Sequence, residues 1–324
     1  MRILLSTDAA SELSPRISAA RGASPIEILT PPDGLTRDFD AAFVSRDVTG
    51  RSTKHALQPE TRAFHDALRQ ASSLRWVQIH SAGTDRPIYP ELQARGVVVT
   101  TAAGANASIV AQSALAGILA LGRRLPLLME QQRARQWKSL IGELPRDLEG
   151  QQAVILGWGP IGRRLAAWLS SIGLEVTIVR NSAEPADGFP TFAFERLAET
   201  LPRADWLVIA CPLTERTHGA IGACALAALP RGAHIVNVGR GEIVVERDLI
   251  ASLQSGHLRG AYLDVFEHEP LPAESPLWGL PNVIVTPHSA GHSAGNQGRV
   301  ADMFMENLER FISGKALLRV AGAR

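Results

Sequence analysis

Three polar residues with complementary chemistry follow three apolar runs in the second half of the sequence. Arg240 comes after HIVNV, Glu269 lies beyond AYLDV, and His288 comes soon after NVIVT. An arginine can grip a carboxylate or polarise a carbonyl oxygen, and a histidine can give or take a proton near neutral pH. A carboxylate beside that histidine favours the charged ring and fixes its orientation. Taken singly, each residue is more commonly a solvated loop, surface or turn residue.

A glycine-rich loop upstream gives this trio its context. Gly157, Gly159 and Gly162 stand in G-x-G-x-x-G spacing between an apolar run and an amphipathic helical pattern. In a strand–turn–helix, the first glycine permits the tight turn, the second admits a pyrophosphate, and the third lets the helix pack closely. The phosphates would bind at the N-terminus of that helix. The alternative is a tight turn that uses glycine for steric reasons alone.

A positive charge then occupies the place where NAD-binding folds usually carry an acid. That acid binds the adenosine ribose about 20 residues beyond the glycines, and here the strand pattern ends in Arg180, followed by Asn181 and Ser182. A guanidinium can pair with a 2′-phosphate through two hydrogen bonds, whereas a carboxylate would repel it. Arg180 therefore favours NADP(H), and the alternative is a solvated arginine, with the ribose of the cofactor held by another group.

Short apolar runs alternate with helical patterns along most of the chain. Most of these runs are continuous rather than alternating, as in parallel strands that are buried on both faces. The pattern predicts an α/β fold with parallel sheets. The predicted strands are 2–6, 26–30, 41–45, 76–80, 97–101, 153–157, 175–179, 206–210, 234–238, 261–265 and 282–286, and the predicted helices include 61–72, 107–122, 160–172, 194–201, 246–255 and 296–313.

Composition narrows the class of protein. A length of 324 residues predicts two domains, and 33 basic against 32 acidic side chains leave no broad field for nucleic acid. The apolar stretch 107–122 is shorter than the ~20 residues that span a bilayer, so a buried helix and no membrane partner are expected. Cys211 and Cys224 fit a reducing compartment, and the cytoplasm is the expected location. His292, four residues after His288, has no third ligand nearby, so no metal is expected.

The chain resembles the D-isomer-specific 2-hydroxyacid dehydrogenase family. The resemblance lies in ILGWGPIGRRLA, CPLTERTHGAI, the long stretch 234–271 and NVIVTPHSAG, with HSAGTD and the stretch 96–126 in support. It implies a Rossmann nucleotide-binding domain, 99–289, inserted into a flavodoxin-like substrate-binding domain, 1–98 and 290–324. It also implies a cleft active site and a homodimer formed with the help of an arm at 126–148.

The resemblance assigns roles residue by residue. His288 would be the acid/base, Glu269 its partner, and Arg240 the residue that orients a 2-oxo acid for hydride attack, while Ala82 and Gly83 would offer N–H groups to the substrate carboxylate. The expected cofactor-binding residues are Gly157, Trp158, Gly159, Pro160, Ile161, Gly162, Arg180, Asn181, Ser182, Cys211, Pro212, Thr217, Val238, Gly239 and Asp264.

The expected activity is NADP(H)-dependent reduction of a small 2-oxo acid, of the glyoxylate or hydroxypyruvate type, to a D-2-hydroxy acid. NAD(H) stays open as a cofactor. One alternative is an NAD-dependent relative acting on a bulkier acid, and another is a dinucleotide-sensing protein like the corepressors that share this fold. The chain departs from many relatives at Gln112 and Ser113, where they carry acidic and histidine residues. A packing change without loss of catalysis is expected there.

Overall fold

The computed structural model describes residues 1–19, 25–50, 52 and 56–322. The strands are β1 Arg2–Leu4, β2 Glu27–Leu29, β3 Ala41–Val44, β4 Trp76–Ile79, β5 Val98–Thr100, β6 Gln152–Leu156, β7 Glu175–Arg180, β8 Thr191–Ala193, β9 Trp206–Ile209, β10 His234–Asn237, β11 Gly260–Leu263 and β12 Val283–Val285. The α-helices are α1 Thr7–Ala19, α2 Arg46–Thr49, α3 Pro59–Gln70, α4 Ile88–Ala94, α5 Ala107–Gly122, α6 Leu125–Arg133, α7 Pro160–Ser171, α8 Leu197–Thr200, α9 Ala223–Ala228, α10 Glu246–Gln254 and α11 Asn296–Ile312. Every strand predicted from the sequence is present.

The chain divides into two compact units, Met1–Ala105 with Ser293–Arg324, and Asn106–His292. The sequence predicted domain boundaries after residues 98 and 289, and both lie a few residues before the boundaries of the two units. Ala102 and Ala105 belong to the buried core of the first unit, which explains the later first division. The backbone of Ala290 is tied to Asp264 of the second unit, which explains the later second one.

The first unit is built on a five-stranded parallel sheet in the order β2-β1-β3-β4-β5. This is the strand order of flavodoxin-like folds. The last helix, α11, covers one face: the ring of Phe304 stacks on Phe43 at 4.7 Å and on Trp76 at 5.5 Å. Beside these rings, buried Asn307 donates to Gln78 Oε1, so a polar pair inside the core is satisfied.

The second unit carries a seven-stranded parallel sheet in the order β12-β11-β10-β9-β6-β7-β8. From β6 the sheet grows in one direction through β7 and β8 and in the other through β9 to β12. This is the Rossmann order with one additional strand, and its reversal point lies between β6 and β9. The prediction of two doubly wound parallel-sheet domains is confirmed.

Some elements were not predicted or were predicted inaccurately. The edge strand β8 has three half-buried residues, too few for a readable apolar run. The segment predicted as one helix at 194–201 is a short 3₁₀ turn, the four-residue α8 and a second 3₁₀ turn. The first third of the arm predicted at 126–148 is helix α6. Within the described residues, no helix is long and apolar enough to cross a membrane.

Candidate active site

The polar residues singled out in the sequence emerge at one edge of the second sheet. Strands β10, β11 and β12 are parallel neighbours, so their carboxyl ends face the same way. Arg240 follows β10, Asp264 follows β11 directly, and His288 follows β12. In an open α/β sheet, ligands bind outside this edge. The topology therefore gathers the three side chains where a ligand is expected.

His288 and Glu269 form a direct pair. His288 Nδ1 lies 2.8 Å from Glu269 Oε2, and the other carboxylate oxygen accepts the N–H of Phe266 at 3.1 Å. About half of the His288 side chain is exposed, against a quarter of Glu269. With Nδ1 held by the carboxylate, Nε2 is the ring nitrogen left for proton exchange with a ligand. The pair has the chemistry of a general acid/base with an orienting partner.

Buried Asp264 shapes the turn that carries His288. Its Oδ1 accepts hydrogen bonds from the hydroxyl of Thr286 at 2.7 Å, from Ser289 N at 2.8 Å and from Ala290 N at 3.0 Å. The backbone N–H of His288 donates to the Asp264 carbonyl at 2.8 Å. His288 itself has a φ of 49°, a backbone conformation that is uncommon outside glycine. The sequence interpretation gave Asp264 only a cofactor contact, and the structure adds this positioning of the His288 turn.

Arg240 stands on a turn that is braced by Asn237, a residue the sequence interpretation missed. Buried Asn237 accepts from Gly239 N at 3.1 Å and donates to the Arg240 carbonyl at 3.0 Å. The Arg240 guanidinium donates through Nη1 to the Gly239 carbonyl at 2.8 Å. A polar residue inside the otherwise apolar run HIVNV was the available signal. A buried amide at a strand end must have partners, and here it holds the turn.

The turns that carry Arg240 and Glu269 are packed backbone against backbone. A side-chain carbon added at Gly241 would overlap the backbone of Phe266 and Glu267. Only glycine lets the two turns approach this closely. Because Phe266 also holds the Glu269 carboxylate, the positions of Arg240 and of the Glu269–His288 pair are mechanically linked.

The glycine loop lies at the reversal point of the sheet. Gly157 has a φ of 119°, and an added Cβ would stand 2.7 Å from Cys211 N, just beyond the end of β9. Gly162 packs so closely on the Gly157 carbonyl that an added Cβ would clash with it. Gly159 caps helix α7, and its side-chain position is open space. The loop thus combines a tight turn, a close helix contact and an open cradle before the free N–H groups of a helix, which fits a dinucleotide pyrophosphate.

The remaining predicted cofactor residues surround this loop. Cys211 and Val238 are buried, Pro212 is exposed, and Gly239 lies against the Cys211 carbonyl. Burial raises the pKa of the Cys211 thiol to about 12, so the group stays neutral. The Thr217 hydroxyl is bonded within its own loop, donating to the Pro212 carbonyl at 2.9 Å.

Arg180 ends β7 as predicted, with about a quarter of its side chain exposed. Its Nη2 lies 3.7 Å from Glu184 Oε2. Asn181 is exposed and Ser182 half-exposed directly after it. All three residues therefore stand at the carboxyl end of the strand next to the glycine-loop strand β6.

Ala82 and Gly83 belong to the first unit, where they follow the carboxyl end of β4. The Ser81 hydroxyl donates to the Gly83 carbonyl at 2.9 Å, which shapes the turn. His80, one residue earlier, bonds the Thr49 hydroxyl through Nε2 at 2.9 Å. Burial, helped by Arg46 and Arg86, lowers the pKa of His80 to about 4. The ring is therefore neutral near pH 7.

Among the residues that the structure describes, no group of three or more His, Cys, Asp or Glu side chains could hold a metal ion. His292 donates its backbone N–H to the Ser289 carbonyl at 2.9 Å, in the turn that follows His288.

Comparison with known proteins agrees with the fold. Residues 115–290 match the model of the D-isomer specific 2-hydroxyacid dehydrogenase, NAD binding domain. Glyoxylate/hydroxypyruvate reductase B of Yersinia enterocolitica is 34% identical over 252 residues, 76% of this chain and 77% of the relative. Glyoxylate/hydroxypyruvate reductase A of Arabidopsis thaliana is 32% identical over 272 residues, 83% of this chain and 86% of the relative.

A solved structure is similar over nearly the whole chain. It is the NADPH-dependent glyoxylate/hydroxypyruvate reductase of Sinorhizobium meliloti in complex with NADP and sulfate. The TM-score is 0.79 at 26% identity, covering 99% of this chain and 98% of the other. Fold, site and relatives together define an NAD(P)-dependent oxidoreductase that acts on the CH–OH group of its donor. The chain belongs to the D-isomer-specific 2-hydroxyacid dehydrogenase family.

Replacing single glycines should separate folding from cofactor binding. Gly162→Ala forces a methyl group onto the Gly157 carbonyl, so we expect a loss of about 1–3 kcal/mol in the free energy of unfolding. Gly159→Ala meets open space at a φ of −85°. Its stability should stay within about 0.5 kcal/mol of wild type, while dinucleotide binding weakens. Urea unfolding and a fluorescence titration with NADPH check both effects. Wild-type stability of Gly162→Ala would contradict the packing described.

Proposed function

We propose that this enzyme reduces a small 2-oxo acid, of the glyoxylate or hydroxypyruvate type, to the D-2-hydroxy acid with NADPH. The observation that carries the proposal is the His288–Glu269 pair, 2.8 Å apart at the carboxyl edge of the dinucleotide-binding sheet. It supplies a positioned proton donor beside a fold that binds a hydride carrier. The named activity of the Yersinia and Arabidopsis relatives supports the substrate class.

Arg240 is proposed to orient the substrate. Its guanidinium stands on the same strand-end edge as His288, and it can bind the substrate carboxylate and polarise the 2-oxo group. Fixing both groups of a 2-oxo acid presents one face of the carbonyl carbon to the hydride, which is the positional part of catalysis. The family resemblance adds the backbone N–H groups of Ala82 and Gly83 as further ligands of the carboxylate.

His288 is proposed to protonate the substrate oxygen. When bound, the reduced nicotinamide supplies the hydride. As the carbonyl oxygen gains negative charge, protonated His288 delivers a proton from Nε2, and the Glu269 carboxylate stabilises the positive ring before that transfer. Asp264 holds the His288 turn during this step through its three hydrogen bonds. In the oxidative direction, neutral His288 would take the hydroxyl proton.

NADP(H) is the proposed cofactor because a cation ends β7. Arg180 stands where an acid would select the free ribose hydroxyls of NAD(H), and Asn181 and Ser182 can add hydrogen bonds. The structurally similar Sinorhizobium enzyme is NADPH-dependent and was solved with NADP. NAD(H) remains a second cofactor of the proposed enzyme.

Assembly and location complete the proposal. Trp137, Ile141 and Leu144 are largely exposed in the part of the arm that follows α6. Large apolar side chains grouped on a surface mark a site of protein contact, and the resemblance implies that this arm joins two copies. We infer a homodimer. The cytoplasm is the inferred compartment, in keeping with Cys211 and Cys224 as free thiols.

The arm should control the oligomeric state. Ile141→Glu places a charge in the apolar group and should shift the protein toward monomer, measured by sedimentation velocity across a concentration series. Ile172→Glu is the matched control, because Ile172 is a partly exposed isoleucine at the end of α7. A dimer that survives Ile141→Glu, or a wild-type monomer at high concentration, would contradict the inference.

A panel of 2-oxo acids with NADPH or NADH tests the activity. Glyoxylate and hydroxypyruvate should be reduced, with NADPH oxidised more efficiently than NADH. Arg180→Asp removes a partner of the 2′-phosphate and adds a repelling charge, so kcat/KM for NADPH should fall about 10- to 100-fold relative to NADH, the size of one or two charge-assisted hydrogen bonds. Oxidation of neither cofactor would end the reductase proposal. An unchanged cofactor preference in Arg180→Asp would show that Arg180 does not read the phosphate.

A further inference from the structure

The loop after β7, residues 181–189, supplies acids to two arginines beside the glycine loop. Arg180 at the end of β7 pairs with Glu184 at 3.7 Å, and Arg163 in the first turn of α7 pairs with Asp187 at 2.9 Å. We propose that Arg163 is a second guanidinium for the cofactor 2′-phosphate, and that Glu184 and Asp187 act as internal competitors that weaken the binding of NADPH. This inference rests on the proposed NADP(H) function.

Contacts tie Arg163 to the dinucleotide loop. Its guanidinium lies 4.9 Å from the ring centre of Trp158, the residue between the first two glycines. The Trp158 ring meets Phe189 edge to face at 5.9 Å. The loop after β7 is therefore folded against the first turn of α7 by an ion pair and against the glycine loop by an aromatic pair. Arg163 therefore contacts both the glycine loop, through Trp158, and the loop after β7, through Asp187.

Charge balance shows what the acids do. Two arginines and two carboxylates cancel each other where a phosphate dianion would have to bind. All four side chains are at least a quarter exposed, and Glu184 is 77% exposed, so their ion pairs are weak and exchange easily. A phosphate offers a guanidinium two charge-assisted hydrogen bonds and can displace a single carboxylate. The displaced acids stay on the same short loop, where they repel the bound dianion.

Simple electrostatics gives the size of this repulsion. A unit charge about 6 Å from a phosphate dianion in water changes the affinity about tenfold before salt screening. NADH, which lacks the phosphate, should not respond. The carboxylates of Glu184 and Asp187 therefore reduce the difference in affinity between NADPH and NADH. With a smaller difference, the enzyme can use both cofactors.

The test is direct titration of the full-length protein with NADPH and with NADH, followed by fluorescence. Asp187→Asn and Glu184→Gln should each tighten NADPH binding by roughly threefold to tenfold and change NADH binding less than about twofold. Asparagine suits position 187, where φ is 48°. The gain should fade at about 1 M salt, where the screening length is about 3 Å. Arg163→Gln should weaken NADPH binding about tenfold and leave NADH binding near wild type.

Glu175→Gln is the matched control. Glu175 opens β7 and Arg180 ends it, so this variant removes the same charge about 16 Å away along the strand and should alter neither affinity. Equal losses for both cofactors in Asp187→Asn or Arg163→Gln would mean that the pair only holds the loop, and would overturn the inference. Unchanged NADPH affinity in the acid variants would overturn it too, with the proposed function intact. A wild-type protein that binds NADH but not NADPH would refute both.

Discussion

The surrounding structure positions one interaction, the hydrogen bond between His288 Nδ1 and Glu269 Oε2. A histidine alone at a strand end rotates freely, whereas one held by a carboxylate through Nδ1 has a fixed ring and leaves Nε2 for a ligand. Each partner is secured by backbone groups. Phe266 N–H holds the carboxylate, and Asp264 holds the turn that carries the ring. The close contact of Gly241 with Phe266 then ties Arg240 to the same framework.

The proposed cofactor recognition follows a different physical rule from the proposed catalysis. The His288–Glu269 pair depends on a short, partly buried hydrogen bond, which fixes the position of the ring. In our proposal, the choice of cofactor depends instead on exposed charges at the end of β7 and on α7, where water and salt weaken every interaction. Exchanging those surface charges should therefore alter the preference between NADP(H) and NAD(H) and leave the His288–Glu269 pair intact.

Elements defined by strong local patterns were predictable from the sequence, and those defined by tertiary contacts were not. The buried parallel strands appear in the sequence as continuous apolar runs such as AVILG and HIVNV. The spacing of Gly157, Gly159 and Gly162 predicted the glycine-rich turn. The edge strand β8 was not predicted. Its three residues form no apolar run, and the strand is defined by its pairing with β7. The role of Asn237 in bracing the Arg240 turn was not predicted either, since it depends on two hydrogen bonds that form only in the folded chain. The ion pair between Arg163 and Asp187 depends on how the loop after β7 folds back on α7.

A comparison of kcat for 2-oxo acid reduction among wild type, His288→Ala, Glu269→Gln and the double variant tests the central claim most directly. In the proposed mechanism His288 delivers the proton, and Glu269 acts only by holding His288 Nδ1. His288→Ala should therefore lower kcat by about 10²- to 10⁴-fold, and Glu269→Gln should lower it by a smaller factor. Because the two residues act as one unit, the double variant should be no slower than His288→Ala. Wild-type kcat in His288→Ala, or a double variant slowed by the product of the two single losses, would contradict the account.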